Sequence, residues 1–279
     1  MTSFAPITFR EESKPSDAAI IFENVELAFE DKPVLDGISF QLPHGETKAI
    51  FGVAGSGKST ILKLALGLLK PDAGRIFVLG QDVTQLKEKD LFTLRSRIGI
   101  VFQESALFDS LTVRENVAFR LMEEGGVADD EIERKVREAL SFVELEKTVD
   151  MLPAELSGGM RRRVAIARAI ITKPEVLLYD SPTGGLDPIT STNIIELLVK
   201  QRDVYKASAL LVTHRLQDAF VMATHSFDRA SGHMKALPPG LKADVPMSFL
   251  ILRDGKVIFD GDTRELSQTK DEYIKKYLS

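Results

Sequence analysis

The sequence contains no cysteine, and this absence excludes several kinds of site. Without thiols the chain can form no disulfide, thiolate-bound metal site or cysteine nucleophile. The chain also lacks a positive net charge: it has 36 basic and 41 acidic residues, which give a net charge of −5. Proteins that bind nucleic acid usually present a basic face, so we expect no nucleic-acid partner. No apolar run approaches the roughly 18 residues of a transmembrane helix, so any role at a membrane requires a partner.

The chain divides into a tail, one large domain and a terminal helix. Residues 1–17 mix charged residues with proline and have no apolar centre, which predicts a polar tail rather than a signal peptide. We expect the domain to span 18–265, with a helical subdomain at about 104–160. A segment at about 226–247, which holds three prolines and two glycines, is expected to be an irregular insertion. Residues 266–279 are expected to be helical, following a capping box of Asp262 and Glu265.

Short apolar segments alternate with helical patterns along the domain. The predicted strands are 20–22, 25–29, 38–42, 47–51, 98–102, 175–179, 210–213, 249–252 and 256–259. The predicted helices are 58–69, 130–142 and 158–172. Strands that alternate with helices are typical of an α/β domain with a mostly parallel sheet.

A glycine-rich loop stands between a predicted strand and a predicted helix. The segment 52–59 reads GVAGSGKS and matches the phosphate-loop pattern G-x-x-x-x-G-K-[ST]. Its glycines let backbone N–H groups surround an anion, Lys58 reaches the terminal phosphates, and the Ser59 hydroxyl binds Mg²⁺. The pattern therefore predicts ATP and Mg²⁺ as cofactors. The nucleotide-binding residues predicted here are Gly52, Gly55, Ser56, Gly57, Lys58, Ser59 and Thr60.

A phosphate loop needs an acidic partner at the end of a distant buried strand. The segment 175–180, EVLLYD, ends in Asp180, which we expect to hold Mg²⁺ through its water shell. An aspartate after an apolar strand is commonly a capping residue, and the phosphate loop is what favours the metal-binding interpretation.

The segment LSGGMR at 156–161 precedes that acidic strand. Together with the phosphate loop it makes residues 20–265 resemble the ATP-binding cassette (ABC) family, whose signature is L-S-G-G at the start of a helix. The resemblance implies a phosphate-loop nucleotide-binding domain with a RecA-like parallel core, an antiparallel β region and a helical subdomain. In this family the signature, here Ser157, Gly158 and Gly159, serves the nucleotide of a second copy, so two chains enclose two ATP molecules.

Four more positions match the family's motifs in order. Phe29 stands where an aromatic ring stacks on adenine, although a core phenylalanine is the alternative. Gln103 follows a strand, as the family's glutamine loop does, and is expected to bind Mg²⁺ and touch the attacking water. Asp187 lies in a GLD segment that resembles the D-loop. His214 occupies the place of the switch histidine, which contacts the γ-phosphate.

One position departs from the family pattern. The family places glutamate directly after the acidic-strand aspartate to polarise the attacking water, and this chain has Ser181. Loss of a general base typically costs about 10²–10⁴-fold in rate. We therefore expect an ABC-type ATPase with reduced hydrolysis; the alternatives are a substitute carboxylate, such as Asp187 or Glu104, or a subunit that binds nucleotide without hydrolysing it.

Several segments resemble the ATPase of MCE-type transporters, which maintain lipid asymmetry. They are QESALF at 103–108, LTVRENV at 111–117 and ELSGGMRRR at 155–163. The resemblance implies a phospholipid-like substrate, an integral-membrane permease, small accessory subunits and a place at the cytoplasmic face of the inner (plasma) membrane. ATPases of importers for amino acids and other small solutes share much of this sequence and remain the rival. We expect Arg161, Arg162 and Arg163 to form a solvated helix face.

Overall fold

The computed structural model describes residues 18–30, 32–238, 241 and 243–278, the last three by their backbone alone. The tail expected at 1–17 lies outside the described residues. Within the described part, none of the helices combines the length and apolarity that a bilayer crossing requires.

The strands and helices follow one another in an α/β order. The strands are β1 Ala18–Phe29, β2 Lys32–Pro43, β3 Thr47–Gly52, β4 Ala73–Val78, β5 Gln81–Asp82, β6 Ile98–Val101, β7 Val176–Asp180, β8 Ser208–Val212, β9 His225–Asp228, β10 His233–Ala236, β11 Met247–Arg253 and β12 Lys256–Asp262. The helices are α1 Lys58–Ala65, α2 Glu88–Arg95, α3 Val113–Glu124, α4 Asp129–Phe142, α5 Gly158–Ile170, α6 Pro188–Tyr205, α7 Leu216–Thr224, α8 Thr263–Ser267 and α9 Glu272–Leu278.

A six-stranded sheet of order β12-β11-β3-β8-β7-β6 lies at the centre. Its strands pair in parallel, except that β12 runs antiparallel to β11. Alternate residues of β7 face opposite layers: Leu177 packs into one hydrophobic core and Leu178 into the other. Both faces of the inner strands β7 and β8 are buried, which is why these two strands are mostly apolar. The expected α/β class with a parallel core is confirmed.

A second, antiparallel sheet of order β2-β1-β4-β5 packs over α1 and α2. The sequence predicted two strands, 20–22 and 25–29, where β1 is a single one. Asn24 adopts a left-handed φ of 47°, and the register with β2 shifts between Phe22 and Val25. This irregularity breaks the alternation of side chains, and therefore one bent strand resembled two.

Helices α3, α4 and α5 pack on one another beside the central sheet. Val117, Leu121, Val136, Leu140 and Val164 join the hydrophobic core between them. Helices α3 and α4 lie within the segment 104–160, and α5 begins at its end. Helix α1 ends at Ala65 rather than at 69, because Gly67 takes a left-handed φ of 63°.

Two C-terminal segments differ from expectation. The segment expected to be irregular, 226–247, contains most of an antiparallel hairpin formed by β9 and β10. In this hairpin His225 pairs with Ala236. Its strands have four residues each, too short to show alternation. The terminal region holds two short helices instead of one. Asp262 and Glu265 do form the predicted capping box, but at the start of α8.

Candidate nucleotide-binding site

The carboxyl ends of the parallel strands gather the predicted site residues at one edge of the sheet. β3 ends at the phosphate loop, β7 ends at Asp180, β8 leads to His214, and β6 leads to Gln103. In open α/β sheets, ligands bind outside this edge. Residues far apart in sequence therefore come together because their strands are parallel neighbours.

Two glycines of the loop, Gly52 and Gly57, are required by close packing. A Cβ atom on Gly52 would lie 2.4 Å from Ser56 Oγ and 2.7 Å from the Leu252 carbonyl oxygen. Gly57 has a left-handed φ of 90°, and a Cβ there would lie 2.7 Å from Leu35 Cδ2. α1 begins directly after Gly57, so its first free N–H groups border the loop. This arrangement suits a phosphate group.

Lys58 lies across the loop. Its ammonium group donates hydrogen bonds to the carbonyl oxygens of Gly52 and Val53 at 2.8 and 2.7 Å. Burial lowers the pKa of Lys58 from its usual value, and the negative charge of Asp180 opposes that change. A cation is thus held beside the backbone N–H groups that would receive an anion.

Ser59 and Asp180 meet although 121 residues separate them. The Ser59 hydroxyl donates a hydrogen bond to Asp180 Oδ1 at 3.1 Å. One hydroxyl and one carboxylate oxygen are the donors that Mg²⁺ prefers in phosphate-transfer sites, where the nucleotide and water supply the remaining ligands. The residues present therefore fit Mg²⁺ with ATP.

Ser181 directly follows Asp180 in a constrained position. Its backbone is left-handed, with φ 47°, and its N–H donates to the Val212 carbonyl at 2.8 Å. A Cβ placed on Gly184 would lie 3.4 Å from Ser181 Cβ and 3.6 Å from Gln103 Cγ. Gln103 and Ser181 therefore border the same small space, and no carboxylate occupies position 181.

Asp187 and His214 lie in loops near this edge. Asp187 is the N-cap of α6 and accepts a hydrogen bond from the Thr190 N–H at 3.0 Å. Hydrogen bonds from the side chain and N–H of Thr190 lower the pKa of Asp187. A carboxylate stabilised in this way is a weak base, which disfavours Asp187 as a substitute for glutamate. His214 is exposed one residue after Thr213.

The signature residues contact α6 of their own chain. Ser157 is exposed and caps α5 by accepting a hydrogen bond from Met160 N–H at 3.2 Å. A Cβ on Gly159 would lie 2.5 Å from Thr190 Cγ2, so the signature lies against the first turn of α6. Gly158 and Gly159 are partly exposed, so the N-terminus of α5 lies at the surface.

Phe29 ends β1 with 47% of its surface exposed. This exposure disfavours the alternative of a core phenylalanine, because buried aromatic rings of the antiparallel sheet, such as Phe22, are nearly inaccessible. A free flat ring is what stacking on a base requires.

Sequence reasoning missed Arg162. The expectation of a solvated face is wrong for this residue, which is only 4% exposed. Its guanidinium donates to the carbonyl oxygens of Phe102, Ser181 and Gly184 at 3.0, 3.4 and 3.3 Å. The signal was available in the spacing, since Arg162 lies one turn before the buried Ile166 on the same face of α5.

Comparisons with known proteins agree with this geometry. The family model described as "ABC transporter" matches residues 35–184. The chain is 37% identical to Protein TRIGALACTOSYLDIACYLGLYCEROL 3, chloroplastic, of Arabidopsis thaliana, over 95% of this chain and 74% of that protein. It is 32% identical to the intermembrane phospholipid transport system ATP-binding protein MlaF of Haemophilus influenzae, over 89% of this chain and 85% of that protein. Against the methionine import ATP-binding protein MetN of Carboxydothermus hydrogenoformans it shows 39% identity, over 71% and 59%.

Solved structures show the same fold. CbiO1 of Clostridium perfringens, part of the ABC transporter complex cbiONQ, matches with a TM-score of 0.75 and 30% identity, over 93% of this chain and 94% of that one. The dimeric cassette MJ0796, bound to ADP and Pi in a post-hydrolysis state, matches with a TM-score of 0.72 and 29% identity, over 87% and 98%.

Proposed function

Because the chain belongs to the ABC transporter family, we propose that it is the ATP-binding subunit of a membrane transporter for phospholipid or a similar lipid. The observation that carries this proposal is the hydrogen bond between Ser59 and Asp180, at 3.1 Å. It joins the phosphate loop to the acidic strand and so supports the proposal that one chain supplies half of an ATP site.

Each part of this half-site would contact a different part of the bound nucleotide. The loop N–H groups and Lys58 would hold the phosphates, Ser59 and Asp180 would hold the metal, and Phe29 would stack on adenine. Bound Mg²⁺ neutralises charge on the phosphates. Gln103 and His214 would orient the attacking water and the γ-phosphate from beyond the ends of β6 and β8, which lie on either side of β7.

A second copy of the chain completes each site. Ser157, Gly158 and Gly159 form the surface-exposed start of α5, and a helix N-terminus can receive an anion. Two chains related by a twofold axis would set each signature over the other's ATP. ATP then favours the closed pair, and release of the pair after hydrolysis changes the state of the permease.

We expect hydrolysis to be real but slow, since Ser181 provides no general base. Gln103, His214 and the metal still supply positioning and charge stabilisation. A second candidate is a subunit that gates the transporter by binding ATP without turnover, and the serine at position 181 is the observation that favours it.

The lipid substrate rests on the segments at 103–108, 111–117 and 155–163 and on the similarity to the phospholipid-transport ATPase MlaF. Import of a small solute is the rival, favoured by the similarity to MetN. The proposed location is the cytoplasmic face of the inner (plasma) membrane, through a permease joined by small accessory subunits.

Purification of the tagged chain from membranes tests both the class and the substrate. We expect an integral-membrane permease to copurify, and ATP turnover of the complex to rise with phospholipid vesicles but not with methionine. Stimulation by a small solute alone would favour import, whereas a chain found on ribosomes or DNA without a permease would overturn the transporter proposal. Bound ATP with phosphate release at background level would favour the gating subunit.

A further inference from the structure

Arg162 is a buried cation that no part of the predicted ATP site accounts for. Its side chain binds backbone carbonyls of three separate segments, those of Phe102, Ser181 and Gly184. Among the described residues its Nε atom has no hydrogen-bond partner. Burial lowers the pKa of Arg162, and the charges of Glu104 and Asp180 counteract this effect. An apolar residue would avoid the cost of burying this charge, so the arginine is not explained by packing.

A second arginine of the same helix holds the other side of the glutamine loop. Arg168 donates to the carbonyl oxygens of Ser105 and Ala106 at 2.9 and 2.8 Å. Both of these residues have left-handed backbones, with φ of 65° and 47°. Such strained conformations persist only where the surroundings hold them. α5 therefore fixes the backbone before and after Gln103.

We propose that Arg162 is the positioning residue for Gln103. Its hydrogen bond to the Phe102 carbonyl sets the backbone one residue before Gln103, and its bonds to Ser181 and Gly184 fix the loop that Gln103 borders. This inference rests on the proposed function, because it assigns Gln103 to the Mg²⁺ of bound ATP.

The position of Arg162 in α5 gives this role a consequence. Helix α5 begins at Gly158 of the signature, one turn before Arg162. Arg162 therefore links the helix that carries the signature to the backbone next to Gln103 within one chain.

The test measures ATP affinity in excess Mg²⁺ and in excess chelator, by equilibrium titration with a fluorescent ATP analogue. The quantity compared is the ratio of the two affinities, which isolates the metal ligands from the phosphate loop. We expect Arg162→Gln to lower this ratio about tenfold, as Gln103→Ala does, because supports of metal ligands typically contribute that much. Arg162→Lys keeps the charge but not the forked donors, and it should not restore the ratio.

The matched control is Arg163→Gln, one residue along the same helix. Arg163 binds the Val143 carbonyl and Glu144 on the helical subdomain, and its removal should leave the ratio unchanged. The double variant Gln103→Ala with Arg162→Gln should lose no more than either single variant, because both act on one ligand. Arg162→Met removes the buried charge and should give the same affinity ratio as Arg162→Gln. Agreement between the two variants shows that the lowered ratio does not come from an unfolded chain.

Three results would overturn the proposal. They are an Arg162→Gln ratio equal to that of Arg163→Gln, losses that add in the double variant, and full rescue by lysine. A native chain that binds no ATP would instead refute the proposed function, which distinguishes the two failures.

Discussion

Replacing Ser181 by glutamate should raise ATP turnover. Ser181 borders Gln103 at the place where the family carries its carboxylate, and its hydroxyl cannot accept a proton near neutral pH. The backbone there is left-handed, with φ 47°, but serine and glutamate both carry a Cβ, so the conformational cost is similar for the two. The substitution therefore changes chemistry more than backbone geometry.

The expected gain is about 10²-fold in kcat, the lower end of what a general base supplies. The lower end applies because Ser181 is only 7% exposed and burial of a carboxylate beside Asp180 raises its pKa. The positive charge of Arg162, bonded to the Ser181 carbonyl at 3.4 Å, offsets part of that effect.

The assay is phosphate release by the transporter complex at saturating ATP, across pH 5 to 9. Ser181→Gln, similar in size but without a base, is the control and should show no gain. Ser181→Glu should also add an acid limb to the pH profile, since the new carboxylate must be ionised. An unchanged kcat, or an equal rise in both variants, would refute the reasoning that residue 181 limits hydrolysis.

Three further predictions concern stability and base recognition. Gly74→Ala should lower the free energy of unfolding by about 1–3 kcal/mol, measured by denaturant titration. The reason is that φ at this position is 85° and the new Cβ would lie 2.4 Å from the Asn24 carbonyl oxygen. Gly126→Ala is the control and should cost less, because Gly126 has a φ of 78° but open space around it. Burial raises the pKa of Asp218, so the folded state binds its proton more tightly than the unfolded state and loses stability as pH rises through that pKa. Asp218→Asn should therefore gain in Tm relative to the native chain as the pH rises above about 4, the usual pKa of an aspartate, and a constant difference would contradict this. Phe29→Ala should weaken ATP binding by about 1–3 kcal/mol but leave inorganic triphosphate unaffected, and equal losses would refute stacking.

Local motifs were sufficient to locate the centre of the candidate site. The phosphate loop and the end of β7 are recognisable because their chemistry depends on a few adjacent residues: glycines for the tight turn, and an aspartate after an apolar strand. The contact between Ser59 and Asp180 follows once their strands are parallel members of one sheet. The α/β class was predictable for the same reason, since buried strands and helices differ in period.

Features that depend on tertiary contacts were harder to predict. The sequence predicts Arg162 at the surface because its charge suggests exposure, whereas its position in α5 places it on the buried face. The hairpin at 225–236 was missed because its strands are short and only partly buried. The capping hydrogen bond that makes Asp187 a weak base joins it to Thr190 only after α6 forms, so its residue type alone suggested a substitute base.

The central claim is that each ATP site joins the phosphate loop of one chain to the signature of another. It is tested most directly by mixing two defective variants, Lys58→Ala and Ser157→Asp. Aspartate still caps α5 but repels a nucleotide, so the second variant should fold and fail only at the signature. Alone, neither variant should dimerise with ATP in sedimentation velocity. The mixture should form heterodimers that each retain one ATP, because one loop and one signature remain intact across the pair. A mixture that stays monomeric, or a Ser157→Asp chain that dimerises with ATP alone, would contradict the shared site.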